Sequence, residues 1–456
     1  MLYPEFSNDR LAALAYDLPD GVKSYKYHGD FAAEIAEIDA MLARGVPAAM
    51  RERLELERIL AEGMMRDYAL TPAKALAILR ERYPTLPDDA MKTILASGFV
   101  DWRLVGGELH LQDDAVANIR KTMGPWLSQF GTPPKAGNDR AWSAENVPLL
   151  REKGERSFRF HVREELWVDD EFVRPGEALN VHLPYPAETE TQREITLLAA
   201  SHESFISNAA HRTICFTAPS EAGQKFFVEF SYICTARYTA LDPDAVTSDV
   251  TGAEADLNEQ YPHIRFTPYL RALAEELGGD EPNSLLRAKR FYDYITQNVR
   301  YSYMRDYRII DQLAEFPALN LRGDCGLQAI LFITLCRASG IPARWRSGSY
   351  ITPDSIGSHD WAEFYVAPYG WLPCDPSFGG GALRGGETER CAHYFGNLDP
   401  YRLVANTALQ ADFDPPKRYL RIDPYDNQSG EAEYASGGLP SRMLSKRRRV
   451  LSAEEL

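Results

Sequence analysis

The sequence is poor in the features that mark metal proteins, membrane proteins and nucleic-acid binders. It has six cysteines, at 215, 234, 325, 336, 374 and 391, and no two form a CxxC pair. Its nine histidines are scattered, none three to five residues from another. Neither pattern has zinc-site spacing, so no metal and no organic cofactor is expected. Long apolar runs are also missing. The run from Ala329 to Cys336 is far too short to span a bilayer. The opening "MLYPEFSNDRLAALAYDLPDG" lacks the basic flank and apolar centre of a signal peptide. These features together lead us to expect a cytoplasmic protein with free thiols. Basic residues are outnumbered, 50 Lys and Arg against 66 Asp and Glu, for a net charge of −16. Such a balance disfavours nucleic acid and anionic membrane as partners.

A hydrophobic fraction of 45% and a charged fraction of 25% are ordinary for globular chains, and 456 residues suggest several domains. Three regimes follow one another. Residues 1–150 read as mainly helical, with "FAAEIAEIDAMLARG" and "PAAMRERLELERILAEGMMRDY" at helical spacing and "TPAKALAILRERYP" opening on a Thr cap and a Pro. "GFVDWRLVGGELHLQ" reads as a hairpin over Gly106-Gly107. Helices followed by a hairpin suggest a winged DNA-binding module. Residues 72–121, however, carry seven basic and seven acidic side chains, a neutral surface poorly suited to phosphate. A structural or substrate-capping role fits better. "FGTPPKAGND", 130–139, has linker composition.

Residues 151–245 change to period two, in "SFRFHVREELWV", "EALNVHLPYP", "REITLLAASH", "RTICFTA" and "KFFVEFSYICTARYT", which predicts an antiparallel β-sandwich. Cys215 and Cys234 sit in these strands as packed thiols. The third regime, 246–456, begins with helices at "FTPYLRALAEELGG" and "SLLRAKRFYDYITQNVRYSY", the second running towards Tyr301. The tail "SRMLSKRRRVLSAEEL" holds a basic cluster, Lys446 to Arg449, expected to be a solvated, poorly ordered terminus.

Chemistry gathers at "LRGDCGLQAILFITLCRASGIPAR", 321–344. Its helix has almost no polar face and must be covered on all sides. Gly340 and Pro342 end it, Gly323 allows a tight entry and Asp324 can cap. Cys325 then falls in the first turn, where free backbone N–H groups and the helix dipole favour an anion and lower a thiol pKa. Its own N–H can face a developing oxyanion. Cys336, eleven residues on, has none of this and reads as core.

A nucleophile needs a base. "SHDWAEFYVAPYGWLPCDPSF" alternates from His359 to Val366, with His359, Trp361, Glu363 and Tyr365 on one face and Asp360, Ala362, Phe364 and Val366 on the other. A three-residue loop before the returning strand would put Asp375 on the face of His359, although more nearly opposite Trp361 or Glu363. Taken singly, each residue has an ordinary packing or capping role. Together, a Cys at a helix start, a His on a strand and an Asp on the next are the nucleophile, base and orienting group of a triad.

The segments "GDCGLQAILFITLCRASGIPAR", "HDWAEFYV" and "GWLPCDPSF" resemble the three motifs of the transglutaminase-like cysteine-enzyme superfamily, which includes transglutaminases, bacterial cysteine peptidases and peptide N-glycanases. The resemblance covers roughly 260–405, including "FGNLDPYRLV", and implies a papain-like α+β core. The expected architecture is thus multi-domain α+β: helical N-terminal domain, antiparallel β-sandwich and transglutaminase-like core with a C-terminal extension. The resemblance implies Cys325 as nucleophile, His359 as general base and then acid, and Asp375 as the group orienting the imidazole. It places Trp361 and Asp324 at the substrate cleft and puts a second oxyanion donor upstream, with Tyr301 preferred over Tyr303, Gln297 and Asn298. Hydrolysis of a peptide or protein amide through a thioacyl-enzyme is the expected reaction. Amine transfer by a protein-glutamine transglutaminase, and a non-catalytic peptide-binding or assembly role, are the alternatives.

Overall fold

The computed structural model describes residues 2–132 and 139–456, so most of the expected linker, 133–138, lies outside the described residues. The centre of the fold is the helix Cys325–Ala338, in which every residue from Cys325 to Arg337 is buried. Burial contributes about 1.5–3 kcal/mol for each large aliphatic or aromatic side chain. Covering all sides of this helix is therefore the strongest packing demand in the core. The helices Pro268–Gly278 and Ser284–Asn298 and an antiparallel sheet meet it, and their apolar side chains join one cluster with the helix. Each covering helix starts where the sequence supplies a cap. Thr267 accepts from the Leu270 N–H, and Asn283 accepts from Leu285 and Leu286.

The core sheet has the order Gly370–Cys374, Ser355–Val366, Ala343–Thr352, Arg402–Asn406. Val366 pairs with Gly370, leaving the three-residue loop 367–369 that the sequence suggests. Beside this core stands a sandwich of two antiparallel sheets. One contains Ala178–Pro184, Thr213–Pro219 and Ser204–Ile206, and the other Glu155–Val168, Phe226–Arg237 and Gln192–Ala200. The two units share a core: Tyr350, Ile351, Leu403 and Ala405 of the core sheet, with the adjoining Tyr401, pack into the sandwich cluster.

Three expectations require correction. The helix read as running towards Tyr301 ends at Asn298, and Tyr301 lies in a short strand, Arg300–Tyr301, parallel to Arg322–Gly323. Residues 431–455 were assigned to the third unit, but Glu431–Tyr434 and Gly437–Gly438 extend one sandwich sheet and Leu444–Glu455 extends the other. The basic tail is not loose. Lys446 to Arg449 form part of that last strand, pairing along Glu155–Val168. Their charges alternate in direction. Lys446 Nζ reaches Ser429 Oγ at 2.9 Å and Arg448 reaches the Gln428 carbonyl at 3.0 Å, whereas Arg449 lies 3.6 Å from Glu165. A run of like charges reads as solvated only while its partners, distant in sequence, are unseen.

The helical N-terminal region carries the hairpin Trp102–Val105/Glu108–Leu111, turning at Gly106 and Gly107, both at positive φ. This region docks on the segment upstream of Cys325. Asn118 donates to Ser302 Oγ at 3.1 Å and accepts from the Tyr303 N–H at 3.0 Å, Arg322 donates to the Phe99 carbonyl at 3.1 Å, and Asp101 pairs with Arg305. Among the described residues no helix is long and apolar enough to cross a membrane.

Removing residues 444–456 strips a sandwich edge and the paired Arg156–Glu455 contacts at 2.9 and 3.0 Å. The truncated protein is expected to unfold several kcal/mol more easily or to aggregate through the bared strand, at about 2–4 °C of Tm per kcal/mol. A thermal melt within a degree or so of the full chain would contradict the paired-strand account.

Candidate active site

Cys325 opens its helix because Asp324 caps it, accepting from the Leu327 N–H at 3.1 Å. The next residue must be glycine for steric reasons. A Cβ at Gly326 would lie 2.3 Å from the Tyr307 hydroxyl and 3.0 Å from Asp360 Oδ2, so its absence lets both side chains reach the helix start. His359 and Asp375 meet as the sequence parity requires. The strand pairing stops at Ala362↔Cys374, so a continued register would set Asp375 opposite Trp361. Asp375 instead leaves the sheet as the cap of the helix Pro376–Arg384, accepting from the Phe378 N–H, and its Oδ2 lies 2.7 Å from His359 Nε2. The offset foreseen from sequence is closed by this helix cap.

Cys325, His359 and Asp360 line one cleft of 1010 Å³, together with Tyr301, Asp324, Phe378, Asp426 and Gln428. Cys325 is 9% exposed, His359 4% and Asp375 not at all. The imidazole is fixed by its neighbours: the Phe378 ring lies 4.3 Å from it, and Trp361 stacks at 6.1 Å with an interplanar angle of 23°. Trp361, expected at the cleft, is 2% exposed, packs with Ala187 and Val404, and backs the histidine from behind. Tyr301 lies on the cleft wall, held beside Cys325 by the pairing of Tyr301 with Gly323. Lys121 of the N-terminal region sits over its ring at 5.6 Å, so that region forms part of the cleft wall.

The carboxylate and the thiol sit in opposite electrostatic environments. Burial alone would raise Asp375, but His359 and Arg402 outweigh it and hold the carboxyl below its ordinary range. Arg402 Nη1 is 2.8 Å from Asp375 Oδ2, while Nε and Nη2 hold Asp399 at 3.2 and 2.9 Å. Cys325 is the reverse. Burial raises its pKa well above the ordinary value, and the charges of Asp360 and Asp324 add to it. The helix N-terminus was expected to lower this pKa; desolvation and two carboxyls overcome the dipole. Asp360 Oδ2 lies 3.4 Å from the sulfur, and its own backbone N–H offsets part of the effect.

Asp360, Asp399 and Arg402 were not singled out from sequence. Strand alternation held a signal for Asp360: the face opposite His359 carries Ala362, Phe364 and Val366, which pack against the cysteine helix, so Asp360 lies on the helix side at the level of its first turn. Asp399 and Arg402 lie within "FGNLDPYRLV", where a buried ion pair leaves no periodic trace. Burial also raises Asp360 to about 7, with Asp324 adding, and raises Asp324 itself to about 6.

Because Asp375 is held low, its contribution to stability is present above about pH 4 and is lost as pH falls through the lowered value. Arg402→Ala leaves Asp375 and Asp399 buried without their cation, expected to cost about 3–5 kcal/mol at pH 7. The deficit should narrow towards pH 4.5 as Asp375, no longer held low by Arg402, takes up a proton. Urea unfolding at both pH values checks this, and a deficit independent of pH contradicts it.

Residues 271–376, which include Cys325, His359 and Asp375, match the transglutaminase-like superfamily. The chain is 25% identical over 209 residues to an uncharacterized protein of Haemophilus influenzae, covering 37% of this chain and 56% of that one. It is 26% identical over 129 residues to the uncharacterized protein YebA of Bacillus subtilis, covering 24% and 17%. The chain thus spans about half the length of the first relative and less of the second. Among solved structures, a candidate cysteine protease from Cytophaga hutchinsonii gives a TM-score of 0.44 at 18% identity, over 66% of this chain and 91% of that one. The periplasmic domain of TgpA from Pseudomonas aeruginosa gives 0.29 at 15% identity, over 54% and 95%. Over residues 271–376 the chain carries a domain of the transglutaminase-like superfamily.

Proposed function

We propose that the protein is a cysteine amide hydrolase acting on peptide or protein amides. The observation that carries this reading is the 2.7 Å contact between His359 Nε2 and buried Asp375, on a histidine that shares the cleft wall with Cys325. With Nε2 committed to Asp375, Nδ1 is the nitrogen left to take the thiol proton. Since the surroundings of Cys325 disfavour a resting thiolate, His359 removes the proton as sulfur attacks the amide carbonyl carbon. The carbonyl C–N bond then breaks, and the same proton passes from imidazolium to the departing nitrogen. Water, deprotonated by His359, cleaves the thioester and restores the thiol.

In this reading Asp375 holds the imidazole, and Arg402 with Asp399 holds Asp375. The Cys325 N–H and the Tyr301 hydroxyl are the oxyanion donors. Trp361 and Phe378 keep the imidazole plane fixed. The cleft volume suits a peptide segment, which supports a peptide or protein as substrate.

Unfolded casein, incubated with the protein and with Cys325→Ala in the presence and absence of a fluorescent primary amine, tests the reaction. New amino termini or released ammonia, abolished by Cys325→Ala, are expected. Cys325-dependent incorporation of the amine in place of those products would replace hydrolysis with transfer. Product formation that persists in Cys325→Ala would overturn the assignment of the nucleophile.

A further inference from the structure

Asp360 interrupts an apolar strand face. That face otherwise carries Ala362, Phe364 and Val366 into the packing against the cysteine helix, and Asp360 is 6% exposed. A carboxyl placed there is costly unless hydrogen bonds compensate. Gly326, with no Cβ, leaves room for it. Its contacts lead to the nucleophile and not to the core. Oδ2 accepts the Cys325 S–H at 3.4 Å, and Oδ1 accepts Gln428 Nε2 at 2.6 Å.

Gln428 is itself fixed from two sides. Its Nε2 also reaches Ser347 Oγ at 3.2 Å, and its backbone carbonyl accepts Arg448 Nη1 at 3.0 Å. Arg448 further donates to Ser349 Oγ and Ser358 Oγ, each at 3.3 Å. The last strand of the sandwich is thereby tied to the sulfur through Gln428 and Asp360. The groups facing Asp360 come from several elements: Asp324 and the Tyr307 hydroxyl at the helix start, Tyr301 on the cleft wall, and Asp426 in the C-terminal segment. None of these four is a cation, and Arg448 joins the set by way of Gln428. Burial pushes Asp426 well above the ordinary carboxyl range, so it stands beside Asp360 as a neutral acid and hydrogen-bonds to it. Donors from Gln428, Asp426, Ser347 and the thiol favour the ionised form of Asp360, against the burial that opposes it.

We propose that Asp360 restrains the nucleophile, holding Cys325 as a thiol by accepting its S–H until His359 takes the proton, with Gln428 as the residue that positions it. The inference rests on the hydrolase reading of the same cleft. At rest the proton stays on sulfur, in the hydrogen bond to Asp360 Oδ2. When sulfur bonds to the carbonyl carbon, that proton moves to His359. Asp360 keeps its charge and loses one donor. A carboxylate beside the sulfur also penalises a thiolate directly. Small electrophiles that reach the cleft without engaging the substrate-binding surface therefore meet a less reactive thiol.

The test is the pH profile of Cys325 alkylation by iodoacetamide, followed by peptide mass, in the wild type, Asp360→Asn and Gln428→Leu. Each is measured again in the His359→Ala background. Asp360→Asn keeps the side-chain shape and removes the charge. It is expected to react at least about threefold faster at pH 7, with its alkaline inflection moved to lower pH. Gln428→Leu removes a donor to the carboxylate and should shift the profile the same way but less far. It decides the matter alone if Asp360→Asn does not fold. The gain should persist in the His359→Ala background, because Asp360 acts on the sulfur directly. A persistent gain, where His359→Ala alone changes nothing, would count against the hydrolase reading and leave the restraint standing. A residue needed only for packing would leave the profile of the folded protein where it is. A rate and inflection unchanged in Asp360→Asn, or moved to higher pH, would overturn the proposal, as would a gain lost in the His359→Ala background. An unchanged Gln428→Leu beside a faster Asp360→Asn would overturn the role given to Gln428.

Discussion

The buried guanidinium of Arg402 is the constraint on which the site depends. It holds Asp375 with one nitrogen and Asp399 with two, and it lies 5.3 Å from the Trp361 ring and 4.6 Å from that of Phe378. Those two rings also fix His359. A fully desolvated charge is tolerated only when its partners leave little uncompensated, so this arrangement locks carboxylate, imidazole and aromatic support into one unit. The sandwich supplies the rigidity. The strand Arg402–Asn406 sends Leu403 and Ala405 into the sandwich core, and Gln192 exchanges hydrogen bonds with both backbone groups of Val404. Sandwich and catalytic-type core are therefore one mechanical object at this point.

The thiol side is built on a different principle. Cys325 stands where a helix dipole favours an anion, yet burial and two carboxyls oppose ionisation more strongly. A thiol that rests protonated is protected from adventitious oxidation, because thiolate character governs that chemistry. In the proposed reaction, activation then depends on His359 as the partner that accepts the proton. Asp360 belongs to both halves: it adjoins the histidine in sequence and touches the sulfur in space.

Much of this was legible before any coordinates. The all-apolar helix, its Asp324 cap, the alternation from His359 and the three-residue loop at 367–369 each follow from local sequence rules. Less legible were features made by partners far apart in the chain. The Lys446–Arg449 run looked solvated because its acceptors at Glu165, Gln428 and Ser429 give no local signal. The thiol environment was misjudged because the dipole is visible from sequence and desolvation is not. Asp426, from a segment about a hundred residues past the cysteine, had no pattern linking it to the cleft.

The rate of Cys325 alkylation by iodoacetamide against pH, in the wild type and in His359→Ala, tests the central claim that His359 takes the thiol proton. The account predicts that at pH 7 the wild type reacts at least about tenfold faster. The variant should gain reactivity only where the unassisted thiol ionises, well above the ordinary thiol range. Equal rates and one shared profile for both proteins would contradict the account.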